Sequence, residues 1–238
     1  MEDAVLFSVN DGVAKITLNR PERKNAINQA LLTELYNKIE YVAIEDDIKA
    51  AVITGNGKAF CSGVDLKALE KGENLFDPRG DGKGMVEIFN SCSKPIIGAV
   101  NGYAITGGFE IALNCDFLIA SENAVFKDTH ALVGIHPGWG MSQLLSQAVG
   151  RRMAKQISMT CEGISAEKAM MCGLVNEVVP LDELMKRTEQ IAKMIAGVNQ
   201  DIMLKMKKLC ELGDYKSIEE GLQEEKKGFK EFLSLFGK

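Results

Sequence analysis

Residues 95–120 read PIIGAVNGYAITGGFEIALNCDFLIA, and this stretch decides the fold class. The apolar run Pro95 to Val100 predicts a buried strand, and Asn101 to Glu110 is a glycine-bearing strand exit. Residues 107–114 predict a very apolar helix, and Phe117 to Ala120 a second buried strand. Strand, helix and strand in one short span indicate an α/β layering, with helices covering a sheet. Working back toward the start, Val5, Phe7 and Val9 alternate with polar residues, Asp11-Gly12 supplies a turn, and Val13, Ile16 and Leu18 resume. That pattern predicts a β-hairpin. Asn28 can cap a helix carrying Leu31, Leu32, Leu35, Ile39 and Val42, while Ala50 to Thr54 reads as a buried strand ended by Gly55 and Gly57. Residues 85–91 suggest another helix. Beyond residue 164 the pattern turns helical: 165–172 stopped by Gly173, a brief strand Val175 to Val179, then 182–195, 199–211 and 215–235. The expected organisation is an α/β core over residues 1–180 and a helical region over 181–238.

Composition limits the partners. At 238 residues with 46% hydrophobic and 26% charged side chains, the chain can bury a sizeable core and is not expected to be disordered. Lys+Arg 28 against Asp+Glu 33 leaves −5, so no broad field draws it to nucleic acid or to an anionic membrane. No stretch approaches the ~20 apolar residues of a membrane span. The start MEDAVLF lacks the basic residues of a secretory signal, and the expected location is the cytoplasm. Six scattered cysteines with no C-x-x-C pair read as reduced thiols, mostly buried. With only His130 and His136 available, no metal site is expected.

The phosphate loop, the G-x-G-x-x-G fingerprint and the G-x-S-x-G elbow are all absent, which argues against nucleotide hydrolysis, dinucleotide redox chemistry and α/β-hydrolase chemistry. Two glycine-containing strand exits remain: Gly55 to Leu66 and Asn101 to Glu110. Each can aim free backbone N–H groups at one point, and two donors converging on one oxygen make an oxyanion hole. Glu110 lies in the first turn of a helix that is apolar on nearly every side, so it is expected to be buried or to line a cavity. Helix dipole and desolvation then act on it in opposite senses, as on a tuned acid–base residue. The polar, glycine-rich stretch Glu70 to Gly84 reads as an exposed, mobile loop, either a solvated connector or a lid.

Five ordered blocks carry a resemblance: NRPERKNAIN (19–28), GKAFCSGVDL (57–66), NGYAITGGFEIALNCD (101–116), PGWG (137–140) and ISAEKAMMCGLVNEVVP (164–180). Across nearly the whole chain the sequence resembles the crotonase superfamily of enoyl-CoA hydratases and isomerases. The resemblance implies a spiral of ββα units closed by a C-terminal helical trimerisation region, so a homotrimer or a hexamer built as a dimer of trimers. It implies an acyl-CoA substrate whose thioester oxygen sits between the N–H groups of Val64 and Gly107. No separate cofactor is implied, coenzyme A entering as part of the substrate. Contacts to substrate and coenzyme A would come from Arg20, Arg23, Lys24, Ala26, Ser62, Asp65 and Leu66. Lys226 and Lys227 are further basic residues, read mainly as solvated helix charge.

Glu110 matches the first of two catalytic glutamates of family hydratases. At the second position this chain has His130 instead. An imidazole exchanges protons near neutrality, so His130 is expected to share catalysis with Glu110. Asp128, two residues away, is a weaker candidate, as on a strand it would point to the same face as His130, and His136 before Pro137 is expected to be structural. The leading expectation is an enoyl-CoA hydratase, a carbon–oxygen lyase. The alternatives are isomerisation or decarboxylation on the same scaffold, or an acyl-CoA-binding protein without catalysis.

Overall fold

The computed structural model describes residues 3–213 and 215–236; Met1 and Glu2 of the MEDAVLF start, with Asp214, Gly237 and Lys238, lie outside the described residues. Strands β1 (Val5–Asn10) and β2 (Val13–Leu18) form the expected hairpin, turning at Asp11-Gly12. A 3-10 turn at Pro21–Arg23 leads to α1 (Gln29–Ile44), where the Asn28 side chain accepts the Leu31 N–H at 3.0 Å and caps the helix. Strand β3 (Ala50–Gly55) is followed by β4 (Ala59–Cys61), α2 (Leu66–Glu70) and α3 (Met85–Ser91). The unit recurs as β5 (Ile96–Val100), β6 (Tyr103–Ile105) and α4 (Gly107–Leu113). It recurs again as β7 (Phe117–Ser121), β8 (Val125–Lys127), α5 (His130–Val133) and α6 (Met141–Thr160). Next come β9 (Ile164–Ser165), α7 (Ala166–Met171), β10 (Glu177–Val179), α8 (Leu184–Ala196), α9 (Gln200–Leu212) and α10 (Ile218–Phe236).

Each ββα unit contributes one strand to each of two sheets. The larger has the order β1-β2-β3-β5-β7-β10, parallel except for the hairpin; the smaller has the order β4-β6-β8-β9. Stacked units therefore bring the ends of β4, β6 and β8 together, and those ends carry the two glycine-bearing exits. The alternation along β3 shows why its run is continuously apolar. Ala51 and Ile53 join the large core with Leu31, Leu35 and Ile39 of α1. Ala50 and Val52 face the other way, into a second cluster with Ile97, Ala99, Leu184 and Ala192.

That second cluster moves the expected boundary at residue 180. Leu184 and Ala192 of α8 cover one face of the large sheet, and the division between compact units falls after Gly197. In the second unit, α10 opens on a capping box: Ser217 Oγ accepts the Glu220 N–H, and the Glu220 carboxylate accepts the Ser217 N–H at 2.9 Å. Three of the six free cysteines (Cys61, Cys92 and Cys115) are buried, fewer than expected. No helix among the described residues is long and apolar enough to cross a membrane.

Candidate active site

A cleft of about 460 Å³ opens at the ends of β4, β6 and β8. Its apolar wall includes Leu66, Leu69, Leu75, Phe76, Val133 and Trp139. The two glycine exits meet at its floor. Gly63 has φ +89°, and a Cβ there would lie 2.8 Å from Ile105 O and 3.6 Å from Gly107 N, so only glycine admits this approach. A Cβ on Gly108 would come within 2.2 Å of Cys61 O, which holds the start of α4 against β4. Among the described residues, neither the Val64 N–H nor the Gly107 N–H donates to a protein acceptor, and both residues line the cleft. The two N–H groups that the resemblance implies as oxyanion donors thus lie at one place on the cleft floor.

Glu110, on the first turn of α4, is 1% exposed. Its Oε1 accepts the Trp139 N–H at 2.9 Å and the Met141 N–H at 3.2 Å. Trp139 lies in the PGWG turn, where Gly140 has φ +105°, and Met141 follows it as the first residue of α6; these supports were not read from the sequence, although the glycines flanking Trp139 could have pointed to an unusual turn. With Oε1 held, Oε2 stands 3.6 Å from His130 Nε2 in an ion-pair contact.

His130 opens α5, with its side chain 9% exposed. Its Nδ1 is 2.7 Å from Asp128 Oδ1, and its backbone N–H donates to the same oxygen at 3.0 Å. A carboxylate acceptor fixes the proton on Nδ1, leaving Nε2 toward Glu110. Burial opposes the charged imidazole, but the Asp128 hydrogen bonds and the facing Glu110 outweigh it and push His130 up to about 9. Burial acts to raise Asp128, yet the hydrogen bonds from the His130 ring and N–H hold it below the ordinary carboxylate range. Asp128 is therefore a direct partner of His130, not its neighbour on a strand face, because β8 ends at Lys127 and the chain turns into α5.

The remaining expected site residues divide. Ser62 and Leu66 line the cleft. Arg20 and Asp65 bind each other at 3.0 Å, and the Arg20 guanidinium also donates to Ala26 O, so these residues pin the 19–26 loop and their side chains are not held open for a ligand. Arg23 and Lys24 are exposed on that loop, whose backbone accepts from Ser62: Ser62 N–H donates to Lys24 O at 3.0 Å and Ser62 Oγ to Arg23 O at 3.3 Å. Lys24 and Asn25 both have positive φ, and buried Asn25 holds the turn by donating to Asn56 O, Ala59 O and Phe60 O. Lys226 and Lys227 are exposed on α10. His136, expected to be structural, is exposed and lines the cleft.

The stretch 70–84 is packed against the fold. Leu75 is buried, Glu73 accepts the Gln29 N–H, and Arg79 pairs with Glu40 of α1 and with Asp81. Glu73, Asn74, Leu75 and Phe76 form part of the cleft wall, the position a lid would occupy. Among the described residues no group of three or more His, Cys, Asp or Glu side chains is placed to hold a metal ion.

Fold and cleft define an α/β scaffold of stacked ββα units that brings two backbone N–H groups beside a buried carboxylate–imidazole pair. The sequence profile described as "Enoyl-CoA hydratase/isomerase" matches residues 8–235. The chain is 41% identical over 205 residues to the Arabidopsis thaliana "Probable enoyl-CoA hydratase 1, peroxisomal", covering 85% of this chain and 76% of that one. It is 38% identical over 208 residues to the Clostridium acetobutylicum "Short-chain-enoyl-CoA hydratase", covering 86% and 79%. A crystal structure of an enoyl-CoA hydratase from Mycobacterium avium superposes with TM-score 0.80 at 38% identity, covering 98% and 99% of the two chains. The chain belongs to the enoyl-CoA hydratase/isomerase family.

Proposed function

We propose that the chain adds water across the double bond of 2-enoyl-CoA thioesters, with Glu110 as base and His130 as acid. The observation that carries this reading is the pair itself: a carboxylate oxygen and an imidazole nitrogen 3.6 Å apart on the cleft wall, beside two backbone donors. Glu110 Oε2 takes a proton from the attacking water, whose oxygen bonds to the β-carbon. The electron pair of the double bond moves to the α-carbon and thioester oxygen, where the Val64 and Gly107 N–H groups stabilise the negative charge; one such donor lowers a barrier by about 2.7–4 kcal/mol. His130 Nε2 then delivers its proton to the α-carbon. Passage of a proton from Glu110 Oε2 to His130 Nε2 across their contact restores both groups, and the net change is one water added.

Asp128 keeps the imidazole oriented and charged, which suits His130 to giving a proton and leaves base chemistry to Glu110. The apolar wall suits an aliphatic acyl chain, and coenzyme A arrives as part of the substrate with no separate cofactor. In this reading Arg23 and Lys24 meet its phosphates, a role supported by their exposure beside Ser62. Self-association into trimers or a dimer of trimers is part of the proposal; it is supported by the exposed Ile218, Leu222, Phe229 and Leu233, which fall at helical spacing on α10. Light scattering on the purified chain tests that assembly.

Incubation in heavy water with 2-enoyl, 3-enoyl and malonyl-type CoA thioesters tests the reaction. A 3-hydroxyacyl product from the 2-enoyl substrate, with deuterium at the α-carbon, is expected. Exchange at the α-carbon without water addition would assign the cleft to isomerisation. Binding without change in any thioester would remove both enzymatic readings.

A further inference from the structure

We propose that Thr106 and Thr129 form a clasp that holds the oxyanion donor Gly107 and the proton donor His130 in fixed relation, so that both threonines are positioning residues. The inference rests on the hydratase reading above. Thr106 has φ +50° and ψ −109°, backbone territory that suits glycine and that a β-branched side chain enters only under constraint. Such a conformation persists where the surroundings over-determine it, and here every polar group of the residue is engaged. Its N–H donates to Lys127 O at 2.8 Å, and its carbonyl accepts the Glu110 N–H at 2.9 Å. Its hydroxyl oxygen accepts the Thr129 N–H at 3.1 Å and also pairs with the Thr129 hydroxyl.

The placement gives these bonds their meaning. The ψ angle of Thr106 orients the next peptide plane, and that plane carries the Gly107 N–H. The constrained torsion is therefore the one that aims the oxyanion donor. On the other side, Thr129 immediately precedes His130 and occupies the N-cap position of α5. Two hydrogen bonds thus tie the loop bearing one catalytic element to the loop bearing the other, across strands β6 and β8, and both side chains line the cleft. Packing closes the remaining freedom, since a Cβ on Gly107 would lie 2.9 Å from the Trp139 ring and 3.0 Å from Ile27 Cδ1. A donor displaced by about 1 Å can cost ~100-fold in rate, so a clasp at this point has leverage on catalysis.

Thr129→Val and Thr106→Val remove one hydroxyl each and keep side-chain volume and branching. With crotonyl-CoA as substrate, Thr129→Val is expected to lower kcat about tenfold, with KM changed by no more than about threefold. Thr106→Val also strips the acceptor from the Thr129 N–H and is expected to lose more. The double variant should be no slower than Thr106→Val, because the two side chains act as one unit. Thr129→Ser, which keeps the hydroxyl, should recover the rate lost in Thr129→Val, and it carries the test with Thr129→Val if Thr106→Val does not fold.

A second readout separates the clasp from the hydratase reading. Bound acetoacetyl-CoA is titrated for enolate by its near-ultraviolet absorption, which reports the oxyanion donors whether or not the enzyme adds water. Enolate in the wild type that is reduced in both valine variants is the expected result. Equal enolate and equal kcat in wild type and variants would overturn the clasp and leave the hydratase reading standing. Reduced enolate in the variants of a protein that hydrates nothing would keep the clasp and sink the hydratase reading. No enolate in the wild type would overturn the clasp, as there would be no donor to position.

Discussion

Replacing Asp128 with asparagine neutralises the carboxylate behind His130 while keeping its size and a carbonyl that can accept Nδ1–H. In the wild type, burial works against the imidazolium, and the hydrogen bonds and charges of Asp128 and Glu110 together overcome it, with the Asp128 hydrogen bond the largest of these. The rise from 6.5 to about 9 corresponds to about 3 kcal/mol of preference for the charged ring. A group raised on folding contributes stability that is fully present below its unfolded pKa of 6.5 and is lost as pH rises through about 9. Without the Asp128 charge, burial competes with Glu110 alone, and the imidazole is expected to return to its ordinary value or below it. The assay is kcat/KM for crotonyl-CoA hydration from about pH 6 to about pH 10, which reports the free enzyme's acid. The wild type should fall off on the alkaline side near pH 9, and Asp128→Asn by about pH 7 or lower, leaving the variant at least ~10-fold slower at about pH 8. Thermal unfolding over the same range should show the wild type losing stability toward pH 9 and the variant losing little there. An unchanged alkaline limb in Asp128→Asn would refute the argument that Asp128 sets the charge of His130.

Other expectations follow from the same geometry. Glu110→Gln should lower kcat by about 1,000-fold or more with near-ultraviolet circular dichroism unchanged, since an amide cannot take the proton from water; near-wild-type turnover would show the assignment to be wrong. His130→Gln should cost less, about 30- to 100-fold, and should abolish the alkaline limb near pH 9, as the pH profile of that variant will show. Arg79→Ala removes the pairing with Glu40 and Asp81 that straps the 70–84 stretch to α1. Because Glu73 to Phe76 wall the cleft, steady-state kinetics should show KM for crotonyl-CoA rising about three- to tenfold with kcat less affected.

Much of the fold was legible because its strands are long and apolar. Ala50 to Thr54 and Pro95 to Val100 are buried on both faces and read as continuous runs, and Asn28 and Gly173 mark helix limits that the structure keeps. The smaller sheet was not read as such, since β4, β6, β8 and β9 have two or three residues each, too few to show a period. Helix α6 escaped because Gly150, at φ +75° and ψ 152°, interrupts it and most of its surface is exposed. In the site, Glu110 stood out as a lone acid in an apolar helix. Asp128 did not, because strand alternation was carried past Lys127, where the backbone already turns. The Arg20 pairing was out of reach for a related reason: sequence shows a basic loop but not that Asp65, far along the chain, takes up the guanidinium. Charges that pair across the fold are invisible in local pattern, whereas periodic burial is written into it.

In the proposed mechanism Glu110 and His130 act together on one water and one α-carbon. The double variant Glu110→Gln/His130→Gln, assayed beside both single variants for crotonyl-CoA hydration, tests it most directly. If the two groups serve one reaction sequence, the double variant should be within about threefold of Glu110→Gln alone, because without a proton taken from water by Glu110 no enolate forms for His130 to protonate. Losses that multiply, so that the double variant falls by the product of the two single effects, would contradict the claim and leave His130 as an independent neighbour of Glu110.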